Sequence, residues 1–293
     1  MQSQETSAST IAHEKQIVQE VLGGIDLDAI SLNDSGWDSR VYEVKPYNYF
    51  FKFPRSEKIR RRYAHELEAL RTANSLASNV HIPELLWVGE RHTYFGYQGI
   101  MGKPLRHILS ELGKDQKQSI GKDIGEFLRL LHASKPDGLR VASPRDEANQ
   151  IQRWYTDNQV EIAGLFTPAE TTRLEKLVHE TWPQQLLSLG SDPVLSHGDF
   201  HFENILFDAK EGVGIIDFGD AACYDRSKDF LELGEDLLMY ESVLQSYGAT
   251  PENLQEKIAI RKNMIQIINL GFYIGKKNTL GIQKTAETIR SFL

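Results

Sequence analysis

Residues 195–220 read LSHGDFHFENILFDAKEGVGIIDFGD, and this stretch carries more chemistry than any other part of the 293-residue chain. Asp199 is followed five residues later by Asn204, and an apolar run through Ile215 and Ile216 ends in Asp217-Phe218-Gly219. Phosphoryl transfer needs a carboxylate beside the acceptor hydroxyl and hard oxygen ligands that hold magnesium across the nucleotide phosphates. Asp199 suits the first role, and the side-chain oxygens of Asn204 and Asp217 suit the second. A bare His-Gly-Asp would fit a turn with a capping aspartate equally well, so the argument rests on all three residues together.

Working outward, three short apolar runs around this stretch, VLS, NILF and GIIDF, are bounded by Gly and Asp and read as short strands in a mainly helical region. Upstream, Ile30 to Arg55 is rich in aromatic and β-branched residues broken by Asn33–Gly36 and Pro46, which predicts an antiparallel meander. Ser56 to Ala77 has Tyr63, Leu67 and Leu70 at helical spacing and predicts a helix. ELLWVGE and TYFGYQGI, separated by Glu90–His92, read as a further strand pair. The pattern changes at Met101-Gly102-Lys103-Pro104, which sets the expected boundary between a lobe of residues 1–100 and one of residues 101–293. Beyond it, Asp115 and Gln118 suggest a capping box, and Ile120, Ile124, Phe127, Leu128 and Leu131 share one helical face. Thr167 to Ser188 is expected to be helical, opened by Thr167-Pro168 and interrupted at Pro183, and Thr250-Pro251 is expected to open a last helix. The first ten residues, small and polar, are expected to fray.

Composition narrows the function. The formal net charge is -8, but the segment Asp192–Glu241 alone holds thirteen acids and three bases, leaving the remainder close to neutral. That distribution argues against a nucleic-acid binder, which needs a basic stripe, and points to cations. The single cysteine, Cys223, forms no internal disulfide, and neither a signal-peptide pattern nor an apolar run near membrane-spanning length occurs. A soluble, cytoplasmic protein without membrane or nucleic-acid partners is expected, and in the absence of an interface signature a monomer. No G-x-x-x-x-G-K-[ST] is present, which excludes a P-loop kinase of that form.

The paired motifs H-x-D-x-x-x-x-N and D-F-G, in this order and separation, resemble the protein-kinase-like fold. His-Gly-Asp in place of His-Arg-Asp is similar to the aminoglycoside phosphotransferase family, and IIDFGDAACYDRSKDFLELGED and FKFP around Lys52 resemble its 2''-phosphotransferases. The resemblance spans about residues 30 to 290 and implies an α+β, two-lobe fold with a small β-rich N-lobe and a larger helical C-lobe. It implies that Asp199 is the catalytic carboxylate, that Asn204 and Asp217 hold Mg²⁺, and that Lys52 meets the α- and β-phosphates of ATP or GTP. Lys52 would pair with a glutamate on the next helix, for which Glu66, and alternatively Glu68, is available. His197 would brace the loop by hydrogen bonds, while His201 and Phe202 pack it.

The family uses a short, glycine-poor nucleotide loop, here Asn33 to Ser39, and backbone amides near Ser35 to Ser39, with the Ser39 hydroxyl, would contact phosphate. Gln98 and Ile100 bound the hinge that would offer backbone groups to the purine. Asp229, Glu232 and Asp236 would share a helical face, with Glu235 and Asp236 adjoining the cleft. Asp220, Glu235 and Asp236 match the positions that would bind a cationic aminoglycoside. A choline-like, homoserine-like or sugar acceptor, a macrolide, or a nucleotide-binding module without catalysis are the alternatives.

Overall fold

The computed structural model describes residues 7–36, 38–135, 138–248 and 252–293. Its elements begin with a helix that the sequence reading left out: Ser7 caps α1 (Ala8–Val21), accepting from the Thr10 backbone N–H. Residues 7–10 are therefore the start of a helix, because a serine at the N-cap supplies the acceptor that the first turn lacks. The aromatic meander follows as expected, with β1 (Ile30–Asn33), β2 (Ser39–Val44) and β3 (Tyr49–Pro54), then α2 (Glu57–Ser75), β4 (Glu84–Val88) and β5 (Phe95–Gln98). These five strands form one antiparallel sheet in the order β1-β2-β3-β5-β4.

Strand alternation decides which face each side chain meets. Phe51 and Phe53 join Val18 of α1 in one cluster, whereas α2 lays Ile59, Tyr63 and Leu67 against Phe95 in another. Helix α1 is fixed to the sheet by one buried carboxylate: Glu14 accepts from Arg40 at 2.8 and 2.6 Å and from the Tyr42 hydroxyl at 2.8 Å. Glu14→Ala takes the carboxylate from Arg40 and Tyr42, leaving Arg40 with the Pro54 carbonyl alone, and it is expected to destabilise this lobe by about 3 kcal/mol. Urea unfolding followed by Trp87 fluorescence reads the effect; a midpoint unchanged within error would remove this staple from the account.

The second part of the chain is mostly helical. It comprises β6 (Lys103–Pro104), α3 (Leu105–Ile108), α4 (Lys114–Ala133), α5 (Pro144–Asp157), α6 (Gln159–Ala163), α7 (Pro168–Lys176) and α8 (Trp182–Ser188). Next come β7 (Pro193–Ser196), β8 (Ile205–Asp208), β9 (Gly212–Ile215) and β10 (Ala222–Asp225), then α9 (Leu237–Tyr247), α10 (Leu254–Gly275) and α11 (Thr279–Arg290). β6, β8 and β9 make a three-stranded antiparallel sheet, and β7 pairs with β10. The cap of α4 differs from expectation: Gln116 reaches back to the Gly113 backbone N–H at 3.0 Å, so the helix starts ahead of the Asp115–Gln118 pair. Pro183 is accommodated by a stretch of π-helix, Leu177–Thr181, rather than by a break. Thr250-Pro251 lies outside the described residues.

The five apolar residues assigned to one face of α4 are all buried in the largest core cluster. There α4 runs against α9 so closely that a Cβ on Gly125 would lie 2.3 Å from the Val243 carbonyl oxygen. The C-terminal half of α2, through Ala69, Leu70 and Ala73, enters this same cluster, so one helix is packed into both lobes. A separate cluster of α5, α7, α8, α10 and α11 residues closes the far end.

Candidate active site

Lys52 sits on β3 with phenylalanines on either side, and alternation turns it to the face opposite them. Its Nζ donates to Glu66 Oε1 at 2.5 Å and to Asp217 Oδ1 at 3.1 Å. Glu68, two positions along α2, is half-buried and lies 3.9 Å from Arg71, whereas Glu66 bonds to Lys52, so Glu66 is the partner of Lys52. Burial opposes the charge on Lys52, but Asp217 and Glu66 more than offset it and hold its pKa well above the ordinary lysine value. Asp217 is lowered chiefly by Lys52. Both charges therefore persist at neutral pH.

Asp217 adopts a left-handed backbone with φ of +63° just after β9. Such a conformation costs an L-residue strain and persists where surrounding bonds over-determine it. Here the ion pair to Lys52 and the bond from His197 Nε2 to the preceding Ile216 carbonyl, at 2.9 Å, do so. The His197 ring also packs on Phe218, with centroids 4.7 Å apart.

The loop carrying Asp199 is fastened from below. The backbone N–H groups of His197 and Gly198 donate to the two oxygens of Asp229 at 2.9 and 3.0 Å. His132 Nε2 lies 3.1 Å from the same carboxylate, and its Nδ1 is 2.9 Å from the Tyr247 hydroxyl. Asp229 and His132 are buried, and the bonds hold Asp229 below the usual carboxylate range against the cost of its burial. Gly198 has φ of +84°, and a Cβ there would lie 2.3 Å from the Asp220 carbonyl oxygen, so the turn requires glycine.

Asn204 Nδ2 donates to the Asp199 carbonyl at 2.9 Å and to its Oδ2 at 3.2 Å. His201 Nε2 is also 3.2 Å from that oxygen. Burial works to raise the Asp199 pKa, but the hydrogen bond from His201 together with the charges of His201 and His197 outweighs it, and the carboxyl lies below its ordinary value. His201 is raised in turn, the pull of Asp199 overcoming desolvation.

A cavity of about 390 Å³ opens between these groups, lined by Ser39, Lys52, Glu66, Asp199, Asp217 and Asp220 among the sequence-predicted residues. Gln98, Ile100, Asn204, Glu235 and Asp236 are not in its lining. Asn204 reaches the cavity only through Asp199. The Ser39 hydroxyl is buried against the Tyr63 hydroxyl at 2.7 Å. The Gln98 amide is spent on the Tyr47 and Asn48 carbonyls, and the Gly99 N–H donates to Asn48, which ties the hinge strand to the turn before β3.

Among the described residues no cluster of three or more His, Cys, Asp or Glu side chains could hold a metal alone. The donor set does fit magnesium, which takes one or two protein oxygens and completes its shell with phosphate and water. The amide nitrogen of Asn204 faces Asp199, leaving its oxygen as the free donor, and Asp217 contributes a carboxylate.

The acidic segment departs from expectation. Residues 226–235 run as short 3₁₀ turns, and α9 begins only at Leu237, so Asp229, Glu232 and Asp236 do not share a helical face. Asp236 is the α9 N-cap, accepting from Met239 N at 3.0 Å, and its other oxygen meets Lys117 at 2.7 Å. A capping aspartate starts a helix and so cannot extend one through itself. Glu235 pairs bidentately with Arg106, which also reaches Glu232 at 3.4 Å, and Asp220 pairs with Arg62 at 2.7 Å. The acids are thus met largely by bases from elsewhere in the chain. The sequence singles out neither His132 nor Arg62 and reads Asp229 only as one acid of a helical face, since each works through a partner remote along the chain.

A small antiparallel sheet over a helical lobe, with a Lys–Glu–Asp triad and an Asp/Asn loop facing one cleft, is the arrangement of kinase-like phosphotransferases. Comparison with known proteins agrees: the Phosphotransferase enzyme family (APH) matches residues 29–255, and the chain belongs to that family. An Escherichia coli protein described as an aminoglycoside 3'-phosphotransferase is 43% identical over 143 residues, which is 45% of this chain and 52% of the relative. The chain thus spans about half the length of that curated relative. A structure of the GDP and kanamycin complex of an APH(2'') enzyme superposes with a TM-score of 0.76 at 21% identity, covering 95% of this chain and 97% of the other. A macrolide 2'-phosphotransferase from Brachybacterium faecium superposes with a TM-score of 0.65 at 16% identity, covering 94% and 98%. These likenesses establish the two-lobe fold.

Proposed function

We propose that this protein transfers the γ-phosphate of ATP or GTP to a hydroxyl of an aminoglycoside, and that the division near residues 100 and 101 separates its nucleotide lobe from its acceptor lobe. The observation that carries the reading is the convergence of Lys52, Glu66, Asp217 and Asp199 on one cavity. Lys52, kept charged and oriented by Glu66, would steady the phosphates. Backbone amides near Ser39 and at the hinge of Gln98 and Ile100 would seat the nucleotide. Asn204 and Asp217 would hold Mg²⁺, which when bound neutralises phosphate charge. Asp199, ionised and aimed by Asn204, would accept the acceptor hydroxyl's proton as the hydroxyl oxygen bonds to the γ-phosphorus, while the bond from that phosphorus to the bridging β-phosphate oxygen breaks and the nucleoside diphosphate leaves. Catalysis would rest on positioning and electrostatics.

The aminoglycoside acceptor draws support from the relatives, and from Glu235 and Asp220 as carboxylates whose partners are partly exposed arginines. Asp236 is better suited to its cap. We place the protein in the cytoplasm as a monomer; among the described residues no helix is long and apolar enough to cross a membrane. A coupled nucleotide-consumption assay against aminoglycosides, macrolides, choline and sugars, with Asp217→Ala as the inactive control, tests the acceptor. Turnover should be highest with aminoglycosides and vanish in the control. Preferential turnover of any other class would replace the substrate while keeping the chemistry.

A further inference from the structure

We infer that Arg62 is a positioning residue, an ionic tie across the cleft that keeps the Lys52–Glu66–Asp217 triad in register; the inference rests on the nucleotide-dependent reading above. Arg62 precedes Glu66 by four residues on α2, so the two share a helical face. Its Nη1 donates to Asp38 Oδ2 at 2.7 Å, just before β2 in the small lobe. Its Nη2 donates to the Gly219 carbonyl at 2.9 Å and to Asp220 Oδ1 at 2.7 Å, in the segment that follows Asp217. Helix α2 is therefore pinned to residues 217–220 at two points one turn apart, by Glu66 through Lys52 and by Arg62 directly.

One attachment point would let the helix pivot about it, whereas two fix its rotation relative to Asp217. The chemistry also needs arginine. A planar guanidinium can serve a carboxylate on each side and a backbone carbonyl at once, while a lysine ammonium offers one point of charge. An isolated exposed ion pair would contribute little. Arg62 differs because it lines the cavity, is only 36% exposed in its side chain, and spends one bond on a main-chain carbonyl that no rotamer change can move.

The test uses the full chain as Arg62→Ala and Arg62→Lys. Backbone hydrogen exchange should quicken about fivefold or more at residues 38–40 and 217–221, with α10 and α11 unchanged. Turnover should fall by about 10- to 100-fold, as expected for a displacement on the scale of an ångström. Nucleotide Kd should stay within about threefold, and the lysine variant should resemble the alanine one. Unchanged exchange at both segments would overturn the tie. A rise in nucleotide Kd that accounts for the whole loss would also overturn it, making Arg62 a phosphate ligand. If the wild type binds no nucleotide, the phosphotransferase reading fails, and the exchange measurement still decides whether Arg62 joins the lobes.

Discussion

Asp199→Ala is expected to lower phosphoryl transfer by about 10³-fold, within the range a positioned general base contributes, while leaving nucleotide affinity within about threefold. The separation follows from the geometry. Lys52 donates to both Glu66 and Asp217 and not to Asp199, so the nucleotide end of the cavity does not depend on it. The Asp199 carboxylate is held below its ordinary pKa chiefly by His201, against desolvation, and it is ionised throughout the neutral range. Its loss removes the carboxylate to which Asn204 donates. Single-turnover assay and nucleotide titration of the same preparation check both halves. Wild-type turnover in the variant would mean that the acceptor proton leaves by another route, and Asp199 would lose its role.

Asp229→Ala is expected to cost about 3–5 kcal/mol of stability, because it leaves two backbone N–H groups and one imidazole buried without their shared acceptor. Asp229→Asn should fall between, since an amide keeps one acceptor oxygen and turns its NH₂ toward a donor. The pH dependence has a definite sign. A carboxyl whose folded-state pKa is lowered contributes stability that is fully present above the ordinary carboxylate range and is lost as pH falls through it toward the folded value. Urea unfolding of wild type and variant between neutral and acid pH should therefore show curves that converge on acidification. A constant gap across that range would place the stabilisation in packing and not in the charge.

The parts of the fold and site that were legible in the sequence are those written in local chemistry. The aromatic meander, the helix expected over 56–77 and found at Glu57–Ser75, and the apolar face of α4 all depend on neighbours along the chain, and the structure shows them. Asp199, Asn204 and Asp217 stand out by spacing; Asp199 and Asp217 line one cavity, and Asn204 lies behind Asp199, bonded to its carboxylate. What escaped was long-range. Asp229 looked like one acid in a run of acids, and nothing near it records that it faces a loop some thirty residues earlier, with His132 behind it. Helix α1 escaped because its apolar face is discontinuous and Glu14, which fixes it, reads as a surface residue until Arg40 and Tyr42 are placed beside it. Glu66 could be separated from Glu68 only once the direction of α2 against the sheet was known.

The pairing of the acidic segment also bears on how an acceptor would arrive. A carboxylate with its counter-ion a few ångströms away acts at a distance as a dipole, whose potential fades faster than that of a bare charge. Asp220 with Arg62, Glu235 with Arg106 and Asp236 with Lys117 are such dipoles. Beyond a Debye length, about 8 Å at physiological ionic strength, little of the segment's formal charge remains to be felt. The protein would then capture a cation by contact at the cleft, with its association rate set by diffusion and orientation and only weakly by salt.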